Sequence, residues 1–364
     1  MGRYSSSRRW ARGRPRERSG EMFGLRSTSR GGLGGSRAGR NMPRPLWLFT
    51  AVLVALMALP AVAHAGFYVR ARIETPDKTV YRGNAWMGRN YIEDSDGVHS
   101  ITQNVAMSTI DDAARRAGFP YSVSMTAWGL SVESIDGLAF EASPPWPGWM
   151  YRVNGEMPLV GAADCLLRPG DDVLWYYGTY DTTPAAVRVA RRAAVNTTVT
   201  VSALEIDVSG QAGAPIPDAT VCVGPRIATT DASGQAQFKI SRPGAYGVRV
   251  EKDGYVRSDL SYVNVAYRSY VSFYTRPARV RRGGVVTLIG ALRSQNGVLS
   301  GRRVAIQMKS GSAWRTVRTP VANRRGVFST WLRPSRTAYY RAVWSGDGSH
   351  LSVASAVRRV AVVR

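Results

Sequence analysis

Acidic pairs and histidines are the residues of this chain whose types suit acid–base chemistry. They are Asp111, Asp112, Asp171, Asp172, His99 and His350. Hydrolysis also needs a nucleophile and a group that orients the base. The first acidic pair is explained by a predicted helix N-terminus and the second by a predicted turn, while the histidines fall in predicted loops of different domains. The pattern therefore indicates no active site.

Metal binding is disfavoured by the same inventory. The chain has two cysteines, Cys165 and Cys222, and neither a Cys-x-x-Cys motif nor paired histidines. We predict no metal site and no cofactor. Because both cysteines have apolar neighbours and lie in different predicted domains, two separate buried thiols are expected, with an interdomain disulfide as the alternative.

Aromatic residues are the better candidates for binding. A small planar ligand or a sugar could stack on the rings, and Asn154 could supply hydrogen bonds. Alternatively, Trp149, Tyr151 and Trp175 form the core of a small sheet, and Asn154-Gly155 is only a type I′ turn. In that case Trp146 and Tyr176 are the stronger ligand candidates. The complete set of candidates is Trp146, Trp149, Tyr151, Asn154, Trp175 and Tyr176.

The elements that must position these residues are short strands and one helix. Alternating residue types predict strands at Phe67–Glu74, Tyr121–Thr126 and 130–135. Two aromatic strands follow, joined by an Asn-Gly turn, a loop and a Pro-Gly-Asp turn. A helix is predicted from Thr109, which would form a capping box with Asp112, to Gly118.

The two aromatic strands, with Gly161 between residues 148–155 and 168–178, also support a family assignment. Residues 66–183 resemble the C-terminal domain of transcobalamin and the related domain of bacterial secreted proteins. The resemblance implies a β-grasp domain that binds a ligand or a partner. In transcobalamin the matching domain closes over a corrinoid held against an α-helical barrel, so cobalamin is a possible ligand.

Two further domains are predicted after a linker at residues 184–195. Residues 196–275 resemble a carboxypeptidase regulatory-like β-sandwich, and the resemblance is clearest at residues 215–223, 230–238 and 243–250. Residues 276–364 resemble a bacterial Ig-like sandwich, most clearly at residues 339–349. The predicted fold class is therefore mainly β and multidomain: a β-grasp (α+β) domain followed by two Ig-like β-sandwiches.

The N-terminal segment is predicted to direct export. Residues 42–65, preceded by Arg40, combine Arg44, a short apolar run and the Ala-x-Ala site Ala63-His64-Ala65, as in a secretory signal that is cleaved after Ala65. An uncleaved anchor is the alternative. Residues 1–41 are rich in Arg and Gly and are interpreted as a disordered leader or as a start codon placed too early. A secreted, envelope-associated protein is expected.

Charge divides the rest of the chain. Residues 66–183 carry nine Lys/Arg and fifteen Asp/Glu, whereas residues 184–364 carry 28 and eight. Such asymmetry indicates an anionic partner for the basic half: a cell-wall polymer or glycan rather than nucleic acid, given export. The alternative is a solvated surface that reflects base composition.

Three functions are compatible with these features. The first is non-enzymatic display or adhesion, in which the basic Ig-like domains carry a β-grasp domain that contacts an unknown protein or small molecule. The second is capture of a soluble, corrinoid-like ligand. An envelope-acting enzyme is the weakest hypothesis.

Overall fold

The computed structural model describes residues 66–127 and 129–364, so the predicted leader and signal peptide lie outside the described residues. The first domain contains nine strands and one helix. They are β1 (Phe67–Glu74), β2 (Thr79–Met87), β3 (Tyr91–Glu93), β4 (Val98–Ser100), α1 (Ser108–Ala117), β5 (Tyr121–Thr126), β6 (Gly129–Ile135), β7 (Leu138–Ala139), β8 (Gly148–Val153) and β9 (Asp172–Gly178).

A four-stranded sheet organises this domain. Its strand order is β2-β1-β9-β8, with β1 and β9 parallel and the other neighbours antiparallel. Helix α1 packs on the sheet through buried side chains such as Ile110, which belong to one core cluster with Ile73 and Trp175. A helix across a mixed sheet of this kind confirms the predicted β-grasp fold.

The helix begins differently from the prediction. Met107 precedes it, and no side chain caps its N-terminus. Thr109 donates its hydroxyl to the Ala106 carbonyl, and Asp112 accepts a hydrogen bond from the backbone N–H of Trp86, so the predicted capping box is wrong. The C-terminus agrees with the prediction, since Gly118 adopts a left-handed conformation with φ of 75°.

The second domain contains strands β10 (Thr183–Val189), β11 (Arg192–Ala194), β12 (Thr198–Ile206), β13 (Ala212–Pro215), β14 (Thr220–Val223), β15 (Arg226–Thr229), β16 (Gln235–Lys239), β17 (Gly244–Glu251), β18 (Tyr255–Val256) and β19 (Ser261–Ala266). They form two five-stranded sheets around one apolar core. The prediction of a linker at residues 184–195 is wrong, because β10 pairs with β12 and β11 pairs with β19.

The third domain contains strands β20 (Ser269–Arg276), β21 (Arg279–Arg281), β22 (Val286–Ser294), β23 (Gly297–Val298), β24 (Ala305–Ser310), β25 (Ala313–Arg318), β26 (Val327–Leu332), β27 (Ala338–Trp344), β28 (Val353–Ala354) and β29 (Arg358–Val363). Two sheets again enclose a core. Since β20 pairs along its length with β22, this sandwich begins before the predicted boundary at residue 276. The chain is thus mainly β and multidomain, as predicted.

Among the described residues, no helix has the length and apolar character needed to cross a membrane. Cys165 and Cys222 are both free, as predicted, but each is half-buried rather than buried.

Candidate functional site

An open cleft of about 500 Å³, which we call the aromatic cleft, lies beside strand β8 in the first domain. Trp149, Tyr151 and Trp175 line it, together with residues 157–162 of the loop that follows the Asn154-Gly155 turn. Pockets that bind small molecules have volumes of about 300–1,000 Å³ and mostly apolar linings. The lining residues are Met107, Leu130, Ser131, Val132, Trp149, Met150, Tyr151, Met157, Pro158, Leu159, Val160, Gly161, Ala162, Trp175 and Tyr180.

The aromatic wall follows from the alternation of side chains along β8. Trp149 and Tyr151 pack against the core of the first domain, whereas Met150 packs against a small cluster on the other face of the sheet. The Trp149 indole N–H donates to the Leu138 carbonyl at 2.9 Å. Trp149 and Tyr151 therefore share one face of β8, as their spacing of two residues predicts, and both rings are fixed in place.

Tyr151 connects the wall with the loop. Its hydroxyl donates to the Val160 carbonyl at 2.7 Å, and its ring stacks on Trp175 with centroids 5.2 Å apart. Burial raises the pKa of Tyr151 well above its usual range, so this hydroxyl keeps its proton at neutral pH. Burial likewise raises the pKa of the adjacent Cys165 thiol. These groups hold the cleft in shape and are poor nucleophiles.

The mouth of the cleft exposes apolar side chains that no sequence argument singled out. Leu159 is fully exposed, Val160 is 52% exposed and Tyr180 is 66% exposed. Their signal in the sequence is the apolar run Pro158-Leu159-Val160 in a stretch that must be a loop, since it lies between Gly155 and Gly161. Apolar side chains grouped around a concave surface are typical of a binding site.

Tyr176 is wrongly placed among the ligand candidates. Strand β9 directs Trp175 and Tyr177 to one face and Tyr176 to the other, where it is completely buried with Leu174 and with Val256 of the second domain. Trp146 is 59% exposed on its proline-rich loop, but it does not line the aromatic cleft. A role for Trp146 in binding remains a prediction.

Asn154 has a structural role in the turn after β8. Its side-chain amide donates to Asp171 at 2.8 Å, and its carbonyl oxygen accepts from the backbone N–H of Asp172 at 2.9 Å. Positive φ values of 54° at Asn154 and 88° at Gly155 agree with the predicted type I′ turn. Asn154 does not line the aromatic cleft.

The two histidines also lie away from the cleft. His99 belongs to strand β4 rather than to a loop, and its ring pairs with Asp94 at 3.0 Å. Asp94 also accepts backbone hydrogen bonds from Asp96, Gly97 and Val123, as expected for a carboxylate that braces a turn. Within residues 66–127 and 129–364, no group of three or more His, Cys, Asp or Glu side chains could hold a metal ion.

Comparison with known proteins places one segment in a family. Residues 108–179, which span α1 to the end of β9, match the model of a domain of unknown function, DUF4430. No curated protein matches the chain.

Solved structures are similar over parts of the chain. Haptocorrin in complex with Cbi is 18% identical, with 32% of this chain and 26% of that chain covered and a TM-score of 0.25. The D0-D1 domain of Intimin is 13% identical, with 48% and 97% covered and a TM-score of 0.21. The Escherichia coli adhesin FdeC is 12% identical, with 83% and 98% covered and a TM-score of 0.25. At these TM-scores, none of these similarities carries an argument about function.

Proposed function

We propose that this chain is an exported, non-enzymatic protein of the cell envelope. Its β-grasp domain holds a ligand or partner in the aromatic cleft, and its two β-sandwiches carry that domain at an anionic surface. The observation that carries the proposal is the cleft itself, which is lined both by fixed aromatic rings and by the exposed Leu159 and Val160.

Binding is favoured over catalysis because the polar groups around the cleft are already engaged. The Tyr151 hydroxyl donates to a backbone carbonyl, and the Trp175 indole N–H donates to the Thr109 hydroxyl at 2.9 Å. A general base must instead be free to take a proton from a substrate. Fixed rings give stacking area at little cost in side-chain entropy, which suits recognition.

The anionic surface is proposed from the charge of the sandwiches. Residues 276–364 contain eighteen Lys/Arg and one acidic residue, Asp347. That carboxylate is already paired with Arg302 at 3.2 Å and with His350 at 2.8 Å. A cell-wall polymer or glycan of negative charge is therefore the proposed partner of these domains.

Capture of a corrinoid-like ligand is the second candidate. It is supported by the resemblance of residues 66–183 to the transcobalamin C-terminal domain and by an apolar cleft that is open to solvent. A cleft of about 500 Å³ would cover one part of a corrinoid and leave the rest in solvent.

Fluorescence titration of residues 66–364 tests both candidates. Anilinonaphthalene sulfonate probes the cleft as a planar apolar ligand, and cobinamide probes corrinoid capture. Leu159→Asp places a charge at the mouth, so we expect it to weaken probe binding by about tenfold or more. The matched control is Ile227→Asp, which alters a similarly exposed side chain of the second domain and should leave binding unchanged.

Equal effects of the two substitutions would overturn the assignment of the cleft. Saturable cobinamide binding that Leu159→Asp weakens would establish capture. If cobinamide causes no change at millimolar concentration while the planar probe still binds in the cleft, capture is excluded and display remains the function.

A further inference from the structure

A second cleft, which we call the arginine cleft, lies in the third domain where its two sheets part. It has a volume of about 530 Å³. Strands β24, β25 and β27 of one sheet and β26 of the other contribute to it, together with the turn that follows β26. The lining residues are Met308, Val317, Arg318, Leu332, Arg333, Pro334, Ser335, Arg336 and Tyr340.

The floor of the arginine cleft is apolar except for one hydroxyl. Leu332 and Pro334 are buried, and Tyr340 is only 2% exposed. Tyr340 lines the cleft together with these two residues. Burial raises the pKa of Tyr340, so its hydroxyl keeps its proton. A protonated hydroxyl on the lining of a cleft can donate a hydrogen bond to a ligand oxygen.

Three arginines line the same cleft. Arg318, Arg333 and Arg336 are all exposed, and none forms an ion pair with a carboxylate of the described residues. Arg333 lies over the Trp331 ring at 5.6 Å, which holds its side chain in place. Three positive charges around one cleft repel each other unless an anion lies between them.

The geometry points to a binding site for phosphate groups of an anionic envelope polymer. Guanidinium groups bind phosphate through paired N–H donors, and the Tyr340 hydroxyl adds a donor from below. The apolar floor would contact the carbon body that carries the phosphate. A repeating polyanion is favoured over a single phosphate because basic residues continue over the rest of the domain. This inference rests on the proposed function, in which the β-sandwiches bind an anionic surface. It names the site on the third domain that would bind that surface.

Calorimetric titration of residues 66–364 with poly(glycerol phosphate) and with glycerol 3-phosphate tests the site. In the cleft variant, Arg318→Gln, Arg333→Gln and Arg336→Gln are combined. In the control variant, Arg279→Gln, Arg293→Gln and Arg325→Gln remove the same charge from exposed positions outside the cleft. We expect the cleft variant to weaken glycerol 3-phosphate binding by about tenfold or more and the control by less than about threefold, since charge-assisted hydrogen bonds are lost only in the first.

Tyr340→Phe keeps the ring and removes the hydroxyl. We expect it to weaken binding by about threefold to tenfold while the thermal unfolding midpoint stays the same. This variant keeps the test decisive if the triple cleft variant fails to fold.

Other outcomes would overturn the site. If both triple variants weaken polymer binding equally, the domain binds anions through its overall charge, and only the proposed function survives. Tighter binding to vesicles of phosphatidylglycerol, or to a DNA oligonucleotide with the same number of phosphates, would replace the polymer with a membrane or nucleic acid. If wild-type protein binds no phosphate-bearing probe, both the phosphate site in the arginine cleft and the proposed binding of the β-sandwiches to an anionic surface are excluded.

Discussion

Asp259 of the second domain contacts two arginines of the first. Its carboxylate accepts from Arg70 at 2.9 Å and from Arg82 at 2.8 Å. Burial acts to raise the pKa of Asp259, but the Arg82 hydrogen bond and the nearby Arg72 and Arg82 charges outweigh it, so the pKa lies below its ordinary value. A depressed pKa means that the folded state favours the charged carboxylate.

This arrangement predicts how acid affects stability. Because the folded pKa of Asp259 lies below the unfolded value of about 4, its contribution is present above that pH and is lost as the pH falls through the folded value. We expect Asp259→Asn to lower the free energy of unfolding by about 1 kcal/mol at pH 7, since the pair is partly exposed, and to have no effect near pH 2. Urea denaturation at both pH values measures this.

Asp253→Asn is the matched control, because Asp253 is an exposed turn residue of the same domain. Its substitution should change stability little at either pH. A loss that is the same at pH 7 and pH 2 for Asp259→Asn would contradict the assigned ion pairs.

Strand β9 shows, at the scale of an element, how one alternating pattern serves two surfaces. Trp175 belongs to the core beneath α1, and Tyr177 donates its hydroxyl to the Ala139 carbonyl at 2.8 Å. Tyr176, between them, faces Val256 of the second domain. A strand with both faces covered is expected to be apolar throughout, as β9 is. The same strand therefore supports the aromatic cleft and the contact between domains.

Helix α1 carries a prediction of its own. Gly118 ends the helix with a φ of 75°, and a Cβ there would meet no atom within 4 Å, so only backbone strain opposes a side chain. We expect Gly118→Ala to lower the free energy of unfolding by about 1 kcal/mol. Gly213→Ala, in the exposed strand β13 where φ is not positive, is the control and should cause no loss. Similar losses for both substitutions in thermal unfolding would refute the argument.

At the scale of the whole molecule, buried charges join the first two domains. Arg257 of the second domain pairs with Glu74, which is 1% exposed, at 2.8 Å. Arg152 of the first domain donates to the Ile206 and Asp207 carbonyls of the second. The backbone N–H of Met157 donates to Val208 at 3.0 Å. This contact holds the loop of the aromatic cleft against the neighbouring sandwich.

Breaking the buried pair should be costly. Arg257→Met leaves Glu74 with Arg72 as its remaining charged partner, so we expect the free energy of unfolding to fall by about 3 kcal/mol. Arg242→Met, which changes an exposed arginine of the same domain, should change it by less than about 0.5 kcal/mol. Denaturation followed by circular dichroism measures both. A loss below 1 kcal/mol for Arg257→Met would show that the ion pair does not stabilise the contact.

Much of the local structure follows from the order of residues along the chain. Alternation predicted β1, β5 and β6, and the Asp136-Gly137 and Asn154-Gly155 turns have the positive φ values that Asn, Asp and Gly tolerate. It also showed that Trp149 and Tyr151 share a face. These features depend on neighbouring residues, whose spacing can be read along the chain.

Which faces are covered and which remain open depends on how the strands and domains pack together. The period of two in β9 cannot say that Val256 covers Tyr176, and nothing local in residues 183–194 shows that they pair with β12 and β19. The exposure of Leu159 and the grouping of three arginines around Tyr340 likewise depend on elements distant in sequence. Burial is set by long-range packing, so the residues that form the two clefts became visible only in the folded chain.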